Sequence, residues 1–432
     1  MNIKITNAAL LDVRNGTLKD NCCIIIKDDI ISKISFNDTY GENFDRVIDF
    51  KGDILMPSFV NAHAHSAMTL FRGIADDLPL QEWLFDNIIP LESKLEEEDI
   101  YNGVMLAIAE YVQGGITTFC DMYFMQDAIY RANQRAGTYC ICVGGTSDLD
   151  QNYEEAAQIE EERFLKYHGK LENADYMLGC HAEYTCSEKF LNLMTDLSYK
   201  YKTQIYTHAC ETLLEVGECT IRHNDLTPIQ YFHKIGFFDN GAVLAHCVHL
   251  DKDDIKIMSQ CNDVHVVHNP ASNLKLASGI APVCSMVKNG INVALGTDGA
   301  SSNNNLDMFK EMYLAANLQK SLMYDAKAIK AHDAIKMATV NGALALRLKN
   351  RGEILEGYKA DLIRIDVNSV HMHPHNNLVD NIVYAAKSSD VKLTMCNGKI
   401  LYENGNFYIG DSIDNIIKNS AKSIKKLTKQ LK

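Results

Sequence analysis

Leu55-Met56-Pro57-Ser58-Phe59-Val60-Asn61-Ala62-His63-Ala64-His65 is the stretch around which the chain reads as organised. Side chains on a β-strand alternate between faces, so histidines at i and i+2 project the same way from one strand. Such a pair can grip one metal ion, because neutral imidazole is the commonest metal ligand. The apolar run Ile54, Leu55, Met56, Phe59 and Val60 predicts a buried strand that delivers the pair to its end. Taken alone, H-x-H also fits an ordinary surface strand, so further ligands have to come from elsewhere in the chain.

Outward from this stretch, apolar segments alternate with helical ones. Strands are predicted over 54–60, 117–121, 139–144, 176–181, 204–208, 242–246, 264–268 and 293–297, with helices between them such as Glu97–Gln113, ended by Gly114-Gly115. Eight strand–helix units favour an α/β chain folded as a (β/α)8 TIM barrel over a doubly wound open sheet. Residues 1–50 read as a small antiparallel sheet, with alternating segments Asn2–Leu11, Cys22–Ile26 and Ile30–Phe36. Short strands return at Asp361–Ile365, Leu393–Cys396 and Lys399–Tyr402, and neither set buries enough surface alone, so both chain ends are expected to form one small β-module. The expected organisation is 1–53 and 351–410 for that module, 54–350 for the barrel and 411–432 for a terminal segment whose residues 416–431 form an amphipathic surface helix.

With 42 Lys+Arg against 56 Asp+Glu, the chain of 432 residues carries a net charge of -14, which disfavours nucleic acid or an anionic membrane as partner. No apolar stretch is long enough to span a bilayer, and Met1-Asn2-Ile3-Lys4-Ile5-Thr6 alternates like a strand rather than opening a signal peptide, so a cytoplasmic location is expected. The 13 cysteines are an odd count without a framework and read as reduced core thiols. No C-x-x-C occurs, which argues against the deaminase class whose zinc is held by one His and two Cys. Homo-oligomerisation is left open.

In a parallel barrel, working residues sit at the C-terminal ends of the strands. His181 ends the fourth predicted strand, His208 the fifth and His246 the sixth, and Asp298 follows the eighth. Each alone has a plain explanation as a loop hydrogen-bonder or a cap. Joined to His63 and His65, however, His208 and Asp298 make three neutral nitrogens and one carboxylate, a set suited to one Zn2+, or to Fe2+ or Mn2+. Glu211 lies three residues past His208, placed to face the same cavity and to move protons there. Trp83 sits in the insertion after the first strand, where barrel enzymes build lids. His371-Met372-His373-Pro374-His375 repeats the H-x-H pattern, but Pro374 cannot occupy a central strand and the segment is read as a loop of the small module.

At these residues the chain resembles the amidohydrolase superfamily, and within it the branch deaminating S-adenosylhomocysteine, 5′-methylthioadenosine and related adenosines. The matching motifs are Met56-Pro57 leading to Asn61-Ala62-His63-Ala64-His65, Leu70-Phe71-Arg72-Gly73, Glu82-Trp83-Leu84 with Pro90-Leu91-Glu92, His208-Ala209-Cys210-Glu211-Thr212, Ala245-His246-Cys247-Val248-His249-Leu250, His268-Asn269-Pro270-Ala271-Ser272-Asn273 and Gly296-Thr297-Asp298-Gly299-Ala300-Ser301-Ser302-Asn303-Asn304. The resemblance runs from about residue 1 to 410. It implies a barrel flanked by a small β-sandwich from both chain ends, with His63, His65, His208 and Asp298 as ligands of one divalent metal. It further implies His246 as the histidine that holds the attacking water, Glu211 as the acid that protonates the purine ring nitrogen, and His181 and Glu92 as substrate contacts, Glu92 to the ribose hydroxyls. No lysine at the fourth strand end matches the metal-bridging one of other branches, so one metal is expected.

One region departs from the pattern. Some members carry arginines after the third strand that approach the distal part of the nucleoside, whereas here the sequence is Val143-Gly144-Gly145-Thr146-Ser147-Asp148. A charged homocysteine tail is therefore expected to be held less well than a small neutral 5′ group. The leading reading is an enzyme, a metal-dependent aminohydrolase acting on a small adenosine-type nucleoside. Its rivals are a related deaminase or chlorohydrolase acting on guanine, a pterin or a triazine, and a non-catalytic barrel that binds a nucleoside.

Overall fold

The computed structural model describes residues 1–37, 43–149 and 151–429. Eight parallel strands follow one another in spatial order: Phe59–His65, Ile116–Met122, Tyr139–Val143, Ala174–Ala182, Ile205–Ala209, Ala242–His246, Val264–His268 and Asn292–Leu295. A two-residue continuation of the last, Asp298–Gly299, pairs with the first at Ala64 and His65, which closes the ring. The fold is therefore the (β/α)8 barrel that the alternation predicts.

Two layers explain why these strands are nearly continuous apolar runs. Side chains pointing inward, among them Val60, Ala62, Ile141, Val143, Tyr206, Val243, Ala245, Val267 and Ala294, fill the barrel interior, and Ala343, Ala345 and Leu346 close one end. The alternate residues pack against the ring of helices in a second, larger core. A strand buried on both faces has no reason to alternate in polarity.

The strand predicted over Ile54–Val60 is two strands. Ile54–Pro57 pairs with Asn2–Asp12 and Leu362–Ile365 in the small module, and Phe59–His65 begins the barrel. The chain changes sheets at Ser58, whose N–H donates to the Asp361 carbonyl (3.1 Å), while that of Phe59 donates to the Gly115 carbonyl at the start of the neighbouring barrel strand (2.9 Å). Pro57, with no N–H of its own, sits at the end of the first segment. The small module is one nine-stranded sheet built from both chain ends, and it is mixed rather than antiparallel, because Arg46–Asp49 and Ile54–Pro57 both run parallel to Asn2–Asp12. Its own core joins Ile3, Ile5, Ile24 and Ile26 to Leu362, Leu393 and Met395.

Between the first strand and the helix Glu97–Gln113 the chain forms a 3-10 turn (Ser66–Phe71), a π-helical turn (Glu82–Ile88) and a short helix (Ile89–Glu92). These hang over the C-terminal mouth of the barrel. The terminal helix expected over 416–431 spans Ile413–Lys429, with Leu431 outside the described residues. Lys426 ties it to Glu96 and Asp99 (2.8 and 3.0 Å). Among the described residues no helix is long and apolar enough to cross a membrane.

Candidate active site

The strand ends deliver their polar residues to one cavity of ≈ 320 Å³, lined by His65, His181, His208, Glu211, His246 and Asp298 on the barrel side and by Leu80, Trp83, Leu84 and Glu92 from the overhanging segment. His63 lies directly beneath, fully buried. Every residue that the sequence singled out for chemistry is thus in or against this space. His371 and His375 are not: their ring nitrogens donate to Asp390 (2.6 Å) and to the Val367 carbonyl (2.8 Å) in the small module.

Three imidazoles are held in the same tautomer. His65 Nδ1 donates to the Met122 carbonyl (2.7 Å), and His208 Nδ1 donates to the His181 carbonyl (2.6 Å). Tyr206 Oη donates to the Ala62 carbonyl (2.9 Å) and so accepts from His63 Nδ1 (3.1 Å). A carbonyl can only accept, so each Nδ1 carries the proton and each Nε2 keeps its lone pair. The ligand atoms of His63, His65 and His208 lie within 4.8 Å of one another, and His63 Nε2 is buried with no hydrogen-bond partner among the described residues. Burial, reinforced by the neighbouring imidazoles, holds His63 and His208 well below the usual histidine range, hence neutral. Buried lone pairs converging in this way, without protons to satisfy them, could hold a divalent cation.

Asp298 completes the set geometrically. Its Oδ1 is 3.3 Å from His65 Nε2 and 3.7 Å from His63 Nε2. Ser272 and Ser302 hydroxyls donate to its Oδ2 (2.5 and 3.1 Å), and the Gly299 N–H donates to its Oδ1 (2.7 Å). Burial opposes its charge, but His65, His246 and these donors hold it below the usual carboxylate range. The residue keeps a left-handed backbone (φ 59°), which turns the chain as the barrel closes.

His246 and Glu211 face each other across the cavity floor, His246 Nδ1 lying 3.8 Å from Glu211 Oε1. His246 Nδ1 donates to Asn273 Oδ1 (2.8 Å), which leaves Nε2 for the cavity. Burial disfavours its charge, yet the carboxylates of Glu211 and Asp298 raise its pKa above the ordinary value. Burial, with Asp298 nearby, raises Glu211 despite His246, so Glu211 is disposed to keep a proton. His181, lowered to about 4 by burial and by the other imidazoles, is neutral. Glu92 is pushed up to about 7 by burial, and Tyr123 Oη donates to its Oε1 (2.5 Å).

Tyr123, Asn273, Ser272 and Ser302 were not singled out from the sequence. Tyr123 lies one residue past the second strand, where the same strand-end position would have marked it. The loop after the third strand supplies no arginine, but Arg163 from the helix Tyr153–Tyr167 lines the cavity beside Gly145, Thr146 and Ser147, donating to Thr146 Oγ1 (3.1 Å). Arg222 is elsewhere: it forks the buried Glu183 (3.1 and 2.6 Å), to which His223 also donates (2.8 Å). Glu183, Cys219 and His223 cluster closely enough to suggest a second metal site, but the guanidinium occupies that carboxylate.

The sequence and the fold have known relatives. Residues 54–401 match the model of the amidohydrolase family. A 5-methylthioadenosine/S-adenosylhomocysteine deaminase of Thermoanaerobacter pseudethanolicus is 42% identical, over 99% of both chains. A 5′-deoxyadenosine deaminase of Methanothermobacter thermautotrophicus is 41% identical over 93% of both. Among solved structures, an adenosine deaminase from Xanthomonas campestris with bound zinc superposes with a TM-score of 0.94 at 27% identity, over 99% of this chain and 98% of that one. A family match over most of the chain, with relatives of this identity along its full length, establishes that the chain belongs to the amidohydrolase family.

Proposed function

We propose that this amidohydrolase is a metal-dependent aminohydrolase that converts adenosine-type nucleosides and water to the inosine analogue and ammonia. The carrying observation is the convergence of three unprotonated Nε2 atoms and the Asp298 carboxylate at one end of a cavity that also presents Glu211, His246, His181 and Glu92. The names of the relatives support the same reaction class.

His63, His65, His208 and Asp298 would hold one divalent ion per chain, Zn2+ in this reading, as in the zinc-bound relative. When bound it supplies Lewis acidity that makes hydroxide available near neutral pH. Glu211, disposed to keep its proton, donates it to a ring nitrogen of the adenine, which makes the amine-bearing carbon electron-poor. Asp298 and His246 take up the proton released by the attacking water and pass it to the departing amine, and as the C–N bond breaks the hydroxyl proton left on the ring carbon returns to Glu211. Neutral His181 hydrogen-bonds the base. Glu92, held by Tyr123, accepts from the ribose hydroxyls, and Trp83 with Leu80 and Leu84 covers the ring and excludes water. The cavity matches a nucleoside-sized occupant, and the expected compartment is the cytoplasm.

The test is ammonia release across a panel of purine nucleosides, free bases, pterins and triazines with the Zn2+-loaded protein. Turnover of adenosine-type nucleosides above all others is expected. Release from guanine, a pterin or a triazine alone would overturn the reading.

A further inference from the structure

Glu215 lies outside the cavity, yet its carboxylate is buried directly behind the catalytic loop. It is 3% exposed, and it begins its work as an ordinary helix cap. Thr212 is the N-cap of the helix Leu213–Arg222, its hydroxyl accepts from the Glu215 N–H (3.1 Å), and the Glu215 side chain reaches back toward Thr212. In a capping box that reach should satisfy the N-cap N–H. Here the Thr212 N–H is the longest of three donors, at 3.4 Å. The two short ones come from the residues before the helix: Cys210 N–H to Oε1 and Glu211 N–H to Oε2, both 2.7 Å.

We propose that Glu215 is a positioning residue for the reaction, its carboxylate fixing the backbone of Cys210 and Glu211 so that the Glu211 side chain projects into the cavity toward His246. Two features make the loop need such a holder. Cys210 adopts a left-handed backbone (φ 53°), a conformation that a non-glycine residue keeps only under constraint. Among the described residues the Glu211 side chain has little of its own to fix it, one long hydrogen bond from Ser278 Oγ (3.5 Å) and the 3.8 Å approach of His246 Nδ1. On the far side the Cys210 carbonyl accepts from Val248 and His249 (both 2.9 Å), just past the sixth strand, so Glu215 holds one side of a turn whose other side is already clamped. The metal-binding histidine on this strand does not share the dependence, because His208 is set by the His181 carbonyl.

This inference rests on Glu211 serving as the proton donor, and its test separates the two. Glu215→Gln keeps the shape but turns one acceptor into a donor that opposes a backbone N–H. Glu215→Asp keeps charge and cap but cannot reach Cys210 and Glu211, and Thr212→Ala removes the cap hydroxyl alone. The Glu215 variants should keep parental zinc content and a substrate KM within about threefold, while kcat falls on the order of tenfold to a hundredfold, as expected for a misplaced catalytic group. Thr212→Ala, even with an equal loss of Tm, should keep its kcat. Hydrogen exchange at the amides of residues 210 and 211 should quicken in the Glu215 variants and not in Thr212→Ala. Parental kcat in both Glu215 variants, an equal kcat loss in Thr212→Ala, or unchanged exchange at 210 and 211 would overturn the inference. If the parent itself releases no ammonia from any nucleoside, the proposed function fails, and the exchange measurement by itself decides the positioning.

Discussion

His208 Nδ1 donates a hydrogen bond to the carbonyl oxygen of His181 across 2.6 Å, from the end of the fifth strand to the end of the fourth. The bond fixes which nitrogen of His208 is free, and it joins a proposed metal ligand to the strand end that carries His181. His208→Ala is expected to remove both metal and turnover, since two imidazoles and a carboxylate leave the ion underbound. Elemental analysis should give one metal per chain for the parent and none for the variant. Two metals per chain, or parental activity untouched by a strong chelator, would refute the assignment.

His246→Ala and Glu211→Gln should behave differently from His208→Ala. Neither residue belongs to the three-imidazole cluster, and both line the cavity, where the proposed reaction has them handle protons. Both variants are expected to keep the metal and to lose roughly 10² or more in kcat. Metal-free protein in either case would mean that the roles are wrongly divided.

For the 5′ end of the substrate, the loop without an arginine and the presence of Arg163 pull in opposite directions. Arg163 reaches the cavity, but its Nη1 already donates to Thr146 and lies 3.9 Å from the buried Glu160. Adenosine, 5′-deoxyadenosine or 5′-methylthioadenosine is expected to show a higher kcat/KM than S-adenosylhomocysteine. Arg163→Met should lower the value for S-adenosylhomocysteine by about tenfold or more, the worth of one charge-assisted hydrogen bond, and leave the neutral substrates nearly unchanged. A competition assay in which S-adenosylhomocysteine outruns 5′-methylthioadenosine in the parent would defeat the first half of this expectation.

Stability should fall with rising pH through a buried carboxyl outside the cavity, behind the segments that carry Ser272 and Ser302. Glu311 is wholly buried, accepting from the Ala271 N–H (3.1 Å) and Asn303 Nδ2 (2.8 Å), and burial pushes its carboxyl up from 4.5 to about 8. A carboxyl whose folded-state pKa is raised binds its proton more tightly when folded. Its contribution is therefore fully present below the ordinary value and is lost as pH climbs toward about 8. Glu311→Gln cannot ionise, so its Tm relative to the parent should improve steadily between about pH 5 and 8. A difference in Tm that stays flat over that interval would count against the burial argument.

What the sequence determined by itself is whatever rests on local periodicity. Eight apolar runs separated by helical spacing define the barrel, and a polar residue just past a run marks a strand end, so His181, His208, His246 and Asp298 were legible without coordinates. Glu211 was legible from its place three residues past His208, and Glu92 only through motif resemblance. The tertiary structure decided the rest, because it depends on partners remote in the chain. Closure of the eighth strand on the first is what brings Asp298 beside His65, and the tautomers of His65 and His208 are set by the Met122 and His181 carbonyls, groups that every residue possesses and no sequence pattern distinguishes. The same holds for the two arginines. Arg163 and Arg222 look alike as letters, but one helix brings Arg163 to the cavity and another spends Arg222 on Glu183, and only packing between distant segments tells them apart.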